Sequence, residues 1–282
     1  MTRLSVIVST YDRPAFLEKV LRAYSAQSDK DFELIVADDG SGPSTSEVIA
    51  RARAERNLSI VHVWHADNGF RKSLILNRAI EAASGEYLIF TDGDCIPRED
   101  LVATHRRLAE RGRYVAGGYI KLPQTISETI TPDDIDSGRV TDLAWLKSKG
   151  WKPGRRAFRL TRSPFIARLF DAITPTAADF QGNNASTWRD ALYAVNGFES
   201  EMGYGGLDQA LGYRLQNAGI KGRQARHRAV TMHLYHDRPY RDVEVIARNR
   251  AIMKRIRSDG ESRARTGLAE LRPDPSLRID RG

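Results

Sequence analysis

A mostly parallel, doubly wound α/β sheet is the fold class that the sequence predicts, and three features point to it. Short apolar runs bounded by turn residues recur from the N-terminus, as buried strands do. Each is followed by a segment whose apolar positions keep helical spacing, and alternation of this kind specifies parallel strands with helical crossovers. Two of the runs end abruptly in acid-rich turns, ADDGS and TDGD. The carboxyl ends of the strands are where an open α/β sheet meets its ligands.

The elements follow in order. Leu4 to Ser9 is an apolar strand. Phe16, Leu17, Val20, Leu21 and Tyr24 then recur at helical spacing, with Asp12 available as a cap and Pro14 in the first turn, where its missing N–H is tolerated. No glycine-rich loop joins this strand to this helix, which argues against the dinucleotide fingerprint and the P-loop. Phe32 to Ala37 is a second strand, ending in Asp38, Asp39, Gly40 and Ser41. Glu47 to Arg56 reads as a helix, Ile60 to Trp64 as a third strand, Asn68 and Gly69 as a turn, and Ser73 to Ala83 as a helix. Leu88, Ile89 and Phe90 form a fourth strand that emerges at Thr91, Asp92, Gly93 and Asp94. Two hard oxygen ligands one residue apart, with a glycine between them to bend the backbone, can share a divalent cation. An Asp-Gly turn is the plain alternative.

Beyond Pro97 the pattern loosens. Asp100 to Arg111 reads as a helix and Tyr114 to Leu122 as a strand containing glycine. The long stretch from Pro123 to Thr176 is rich in Pro, Ser and charge, and holds Trp145, Trp151 and a basic cluster of Arg155, Arg156, Arg159 and Arg162. A stretch of this kind is a lid, a binding loop or a disordered segment. Order returns at Phe180 to Trp188, at Gly197 to Gly206, in a helix from Asp208 to Ala218 and at Val230 to His236. Arg241 to Arg257 reads as an amphipathic helix. Val245, Ile246, Asn249, Ile252, Met253 and Ile256 lie on one side, and Arg248, Arg250, Lys254, Arg255 and Arg257 on the other. The expected organisation is a domain over 1–240, divided into two halves, 1–122 and 123–240. A basic helix over 241–258 and a flexible tail over 259–282 follow it.

Composition narrows the function. A chain of 282 residues, 41% hydrophobic and 28% charged, buries one substantial core with at most a small appendage. No apolar run approaches bilayer-crossing length, and Met1 leads straight into LSVIV without signal-peptide architecture, so a cytoplasmic protein is expected. The single cysteine, Cys95, excludes an internal disulfide and a cysteine-rich zinc site. The net charge of +8 points to anionic partners. No nucleic-acid reading module accompanies it, so nucleic acid is not among the expected partners.

Taken together, LSVIVSTYDRP, FELIVADDGS, SGEYLIFTDGDCIP and MGYGGLDQALGYRL resemble the family-two glycosyltransferases of the GT-A fold in both order and separation. The segment from Gly182 through GYGGLD to HLYHDRP is similar to the galactosyltransferase-type C-terminal module, also found in bacterial polymerases of amino-sugar polysaccharides. The resemblance implies transfer of a sugar from a nucleotide diphosphate donor to an acceptor hydroxyl, with inversion and a divalent metal. It implies that Ser9 and Tyr11 line the base pocket and that Asp39 reads the base. A carboxylate suits the uracil N–H, and Tyr11 adds an aromatic face. Asp38 stays open between a nucleotide contact and a turn or cap. Arg71 stands where the family places a cation for the nucleotide or its phosphates, unless it is a solvated surface arginine.

By the same resemblance Asp94 is the metal ligand, Asp92 contacts ribose or metal-bound water, and His236 approaches the metal from the far end of the fold. His233 competes with His236, and strand alternation would put the two on opposite faces, so that only one points at the site. An Asp and His donor set with an oxygen-rich diphosphate suits Mn2+ or Mg2+. Asp208, at a helix start that favours the carboxylate form, matches the family's base, a role compatible with capping the helix. Gly205 and Gly206 let the backbone approach the substrate. Asn183 and Asn184 either bond donor-sugar hydroxyls or shape a turn. The family often has Glu before this aspartate; Leu207 stands there instead, so no acceptor is inferred by analogy.

The leading expectation is thus an enzyme that uses a UDP-sugar and builds a bacterial surface glycan, on a glycan or lipid-linked glycan acceptor. The basic C-terminal helix would either lie peripherally on anionic membrane or pack onto the domain with its charges in water, and the Arg155 to Arg162 cluster would meet a phosphorylated acceptor. A non-catalytic nucleotide-sugar or glycan-binding module would keep the Asp39 pocket without needing Asp208. A sugar-phosphate nucleotidylyltransferase needs a glycine-rich basic loop after the first strand, and Ser9 to Pro14 offers none.

Overall fold

The computed structural model describes residues 2–237 and 242–282. Four strands, β1 (Leu4–Thr10), β2 (Phe32–Asp38), β3 (Ile60–Trp64) and β4 (Tyr87–Asp92), alternate with helices α1 (Pro14–Ser25), α2 (Pro43–Arg56) and α3 (Lys72–Ala82). After β5 (Cys95–Pro97) come α4 (Leu101–Leu108) and β6 (Arg113–Lys121). Four short helices follow: α5 (Gln124–Thr129), α6 (Pro132–Asp136), α7 (Leu143–Ser148) and α8 (Pro164–Ile173), with a 3-10 segment at Arg155–Leu160 between the last two. The chain continues through β7 (Asn184–Trp188), α9 (Arg189–Ala194), α10 (Leu207–Asn217) and β8 (Lys221–His233), and then α11 (Val243–Asp259) and β9 (Arg278–Asp280).

Among the described residues these strands form one nine-stranded sheet in the order β5-β8-β6-β7-β4-β1-β2-β3-β9. The β1–β2, β1–β4, β2–β3 and β6–β8 pairs are parallel. Alternate residues of each inner strand serve opposite faces. Leu4, Val6 and Val8 of β1 pack with α1 and α2, whereas Ile7 packs with α3 on the far side. Leu34 and Val36 of β2 divide in the same way from Ile35 and Ala37, and Tyr87 and Ile89 of β4 from Leu88 and Phe90. Burial on both faces is why these runs are apolar throughout.

The stretch from Pro123 to Thr176 is helical in short pieces. Thr131 caps α6 in a reciprocal box with Asp134, and the Asp142 carboxylate accepts the Trp145 N–H to cap α7.

The C-terminal expectations need correcting. The described helix α11 begins at Val243, and Arg241, its expected first residue, lies outside the described residues. Its apolar side is spent on the domain: Ile256 is buried, and Ile252 and Met253 pack into the core on the α3 side. This is the packed alternative of the two expected for the helix. Residues 259–282 are not a loose tail. Glu199 accepts the backbone N–H groups of Arg265 and Thr266, and Asn196 binds the Ala264 carbonyl and the Ala269 N–H. Finally β9 pairs antiparallel with β3, His62 opposite Asp280, which closes an edge that would otherwise be open. Among the described residues no helix is long and apolar enough to cross a membrane.

Candidate active site

A cavity of about 1050 Å³ opens beyond the carboxyl ends of β1, β2 and β4. Its size is that of a large small-molecule site. Of the residues that the sequence nominates, Ser9, Tyr11, Asp39, Asp92, Asp94, Asn183, Gly206, Asp208 and His236 all line it. Arg71 and Asn184 do not.

One end is built by β1, β2 and the loop after β3. Asp39 is nearly buried; its Oδ1 lies 2.8 Å from His65 Nε2, and its Oδ2 accepts the Arg71 backbone N–H at 2.9 Å. The carboxylate is therefore held in one orientation with lone pairs to spare, since two oxygens offer about four acceptor positions. Tyr11 remains half exposed over the cavity, its hydroxyl donating to Asp67 Oδ2 at 3.0 Å. Asp38 is turned away, its oxygens accepting the Ser41 N–H at 2.8 Å and facing His62 Nε2 at 2.9 Å.

At the centre, Asp92 Oδ1 accepts Ser9 Oγ at 2.7 Å and Lys72 Nζ at 2.6 Å. Burial alone would lower the Lys72 ammonium, but the charges of Asp92 and then Asp208 outweigh it and leave the group raised. Sequence reasoning missed this cation by one residue. Arg71 is the N-cap of α3 and folds back to donate to the Ala66 carbonyl, whereas Lys72, the first helical residue, is turned about 100° onward and enters the cavity. The signal was the turn Asn68-Gly69 just ahead, which sets where the helix starts.

The third group arrives from far along the chain. β5 pairs antiparallel with β8, Cys95 opposite His233, and the Leu234 N–H donates to the Asp94 carbonyl at 2.8 Å. His236 Nε2 then lies 2.8 Å from Asp94 Oδ2 and His233 Nε2 3.8 Å from it, the two rings stacked with centroids 5.3 Å apart. The expectation that only one histidine points at the site fails because β8 ends at His233. Alternation does not extend past the end of a strand. Burial pushes the Asp94 carboxyl up, yet the hydrogen bond from His236 and the charge of His233 more than offset it, holding the group at about 2. Asp94, Cys95 and His233 bring donor atoms within 4.8 Å of one another. Burial pushes the Cys95 thiol well up, and its Sγ donates to Asp94 Oδ1 at 3.2 Å, so it serves as a donor rather than a thiolate ligand. The remaining carboxylate and imidazoles fit Mn2+ or Mg2+ rather than a thiolate-seeking ion.

Asp208 stands in the first turn of α10, behind the loop Gly203-Tyr204-Gly205-Gly206. Gly205 and Gly206 have φ of 104° and 91°, conformations that favour glycine. The Asp208 Oδ1 is buried without a hydrogen-bond partner. Burial raises the carboxyl, Lys72 pulls it back, Asp92 raises it again, and a hydrogen bond from the Gly182 N–H lowers it slightly. The loop is clamped by α11, whose Asn249 amide donates to the carbonyls of Gly203, Tyr204 and Gly205 at 3.0, 3.2 and 2.8 Å.

Asn184 is a correction. Its Nδ2 donates to the carbonyls of Gly118 at 2.8 Å and Ala229 at 3.0 Å, and its Oδ1 lies 2.9 Å from His105 Nε2. With donors and acceptor committed to the sheet, it has nothing to offer a sugar.

Residues 5–195 match the sequence model described as Glycosyl transferase family 2. The chain belongs to this family. Among curated relatives of the family-2 chain, validoxylamine A glucosyltransferase of Streptomyces hygroscopicus is 30% identical over 77% of this chain and 52% of its own length. The hyaluronan synthase of Pasteurella multocida is 37% identical over 77% of this chain and 23% of its own. The chain therefore spans about half, or less, of these relatives. Two solved structures share the fold of the family-2 domain. A mannosyltransferase from Pyrobaculum calidifontis, in complex with GDP-Man and Mn2+, has a TM-score of 0.56 at 22% identity, covering 85% of this chain and 59% of that one. Residues 1–349 of S. aureus TarS, in complex with UDP-GlcNAc, give 0.59 at 15% identity, covering 95% and 68%. These neighbours make the sheet a GT-A glycosyltransferase fold.

Proposed function

We propose that this domain is a metal-dependent, inverting glycosyltransferase that moves a hexose or N-acetylhexosamine from a UDP-sugar to a hydroxyl of a bacterial surface glycan or lipid-linked acceptor. The observation that carries the reading is a single cavity lined both by an oriented carboxylate, Asp39, and by the Asp208 carboxylate, whose buried Oδ1 has no hydrogen-bond partner. Lys72, Asp94 and the two histidines line the same cavity. Asp39 accepts the uracil N–H, and the Tyr11 ring covers the base. Asp94, His233 and His236 would hold the cation. When bound, Mn2+ or Mg2+ neutralises the charge that grows on the departing diphosphate. Asn183 binds a hydroxyl of the donor sugar.

Asp208 takes the proton from the acceptor hydroxyl as that oxygen bonds to the anomeric carbon and the bond to diphosphate breaks on the opposite face. Its burial makes it a stronger base than an exposed aspartate, while Lys72 keeps it ionised. The names of relatives bear on the substrates as far as they go. TarS was solved with UDP-GlcNAc, and the Pasteurella relative is a hyaluronan synthase.

The test is Asp208→Asn with a panel of nucleotide sugars and hydroxyl acceptors. Transfer should fall by at least about 100-fold, the typical worth of a general base, while thermal stabilisation by the UDP-sugar persists. Unchanged turnover would remove the assignment of the base. Stronger stabilisation by GDP-mannose than by every UDP-sugar would overturn the choice of uridine.

A further inference from the structure

The helix α8 is built inside out. Its inward side is held by a carboxylate: Asp171 Oδ1 accepts the His227 backbone N–H at 2.9 Å, and Oδ2 accepts Arg228 Nε at 2.6 Å. Its outward side carries Phe165, Ile166, Leu169 and Ile173, with accessibilities of 76%, 41%, 47% and 60%. The spacing i, i+1, i+4, i+8 places all four on one face. Phe158, 56% accessible in the preceding 3-10 segment, adds to the patch, its ring 5.1 Å from that of Phe170. A contiguous apolar face turned to water marks an interaction surface.

Charge identifies the occupant. Between Asp142 and Asp171 the chain carries eight Lys and Arg residues and no Asp or Glu. Arg155, Arg156 and Arg168 are exposed on these two segments, while Arg162 pairs with Glu99. Two copies meeting through this face would set cations against cations, which is unfavourable. An anionic bilayer satisfies both halves of the surface, taking the stripe among its acyl chains and the arginines among its headgroups. The patch also reaches the cavity: Arg159 donates to the Tyr119 carbonyl, Arg156 lies 5.9 Å from the Tyr119 ring, and Tyr119 lines the cavity.

We propose that α8 and the 3-10 segment before it seat the protein on an anionic lipid surface. The side of the cavity lined by Tyr119 then lies next to the bilayer. Lipid binding stands independently of the chemistry; only the consequence, delivery of a lipid-linked acceptor, rests on the transfer reading. The basic helix α11, the sequence-based candidate for this role, is instead committed to holding the Gly203–Gly206 loop.

Vesicle flotation of the full chain decides it. The protein should float with phosphatidylcholine–phosphatidylglycerol vesicles, remain unbound with phosphatidylcholine alone, and lose binding as salt rises. Phe165→Ser with Leu169→Ser should weaken binding at least about tenfold, as should Arg155→Glu with Arg168→Glu, with thermal midpoints and UDP-sugar stabilisation retained. Arg250→Glu with Lys254→Glu on α11 should leave flotation as it was. The proposal fails if the parent does not float, if either α8 pair floats like the parent, or if the α11 pair loses binding equally. It fails too if the parent is a dimer that Phe165→Ser with Leu169→Ser dissolves while vesicles recruit nothing, since a second copy then covers the face. UDP-sugar stabilisation in a parent that does not float would sink the lipid proposal and leave the donor reading standing.

Discussion

The position of Asp208 can be tested without touching it, through Gly182. Gly182 has no positive φ, so alanine suits its backbone. A Cβ there would lie 2.4 Å from Asp208 Oδ1, 2.8 Å from Cγ and 3.0 Å from Oδ2. Ordinary contact begins at 3.4 Å, so Oδ1 must retreat by 3.4 − 2.4 = 1.0 Å. The obstructing group is a side chain that can rotate, so the fold survives and the carboxylate moves. A displacement of about 1 Å in a reacting group costs on the order of 100-fold in rate, or about 2.7 kcal/mol of barrier. Gly182→Ala should therefore lower kcat by roughly 100-fold, leave the donor KM within about threefold, and shift stability by no more than about 1 kcal/mol. Initial rates at saturating UDP-sugar and acceptor, with a thermal melt alongside, measure this. If Asp208 is the base, Gly182→Ala adds nothing further in an Asp208→Asn background, because the two changes act through one group. Parent-like kcat in a normally folded Gly182→Ala protein would refute the argument.

Two other predictions concern the supports of the site. Asn249→Ala removes the amide that donates to three loop carbonyls, and should cost about 2–4 kcal/mol of stability and slow turnover more than it weakens donor binding. A thermal midpoint equal to that of the parent would show the loop held by other contacts. His105 is fully buried between Ser186 and Asn184, and burial lowers its pKa to about 4, against a smaller upward pull from Asn184. A depressed folded pKa means that stability is full above the unfolded value of 6.5 and is lost as pH falls toward 4, by about 3 kcal/mol for this group. Melts across that window should show the slope in the parent and a flatter one in His105→Gln; identical slopes would contradict the assignment.

The inner half of the sheet was legible because its physics is local. A run such as Leu88 to Phe90 is apolar on consecutive positions, and the acids that end it sit where a parallel sheet exposes its strand tips. What sequence alone did not give came from pairings made elsewhere in the fold. His233 and His236 meet because β8 stops between them and β5 pins the exit to Asp94. Asn184 reads as a sugar ligand until β6 and β8 offer it two carbonyls. The proline-bearing segment after Gly260 reads as a tail until Glu199 supplies acceptors and β3 an edge.

Amphipathicity poses the sharper problem, because a period tells which face of a helix needs cover and never what covers it. For α11 the sequence gives both faces, with Asn249 on the apolar one, and that polar residue among Ile246, Ile252 and Met253 is the clue. A helix facing lipid gains nothing from a buried amide, whereas one facing a loop of bare carbonyls does. In α8 the relation is reversed. Its one buried acid, Asp171, is satisfied inward by His227 and Arg228, so Phe165, Ile166, Leu169 and Ile173 are left for an occupant outside the chain. Polar residues thus orient both helices, and the apolar residues follow.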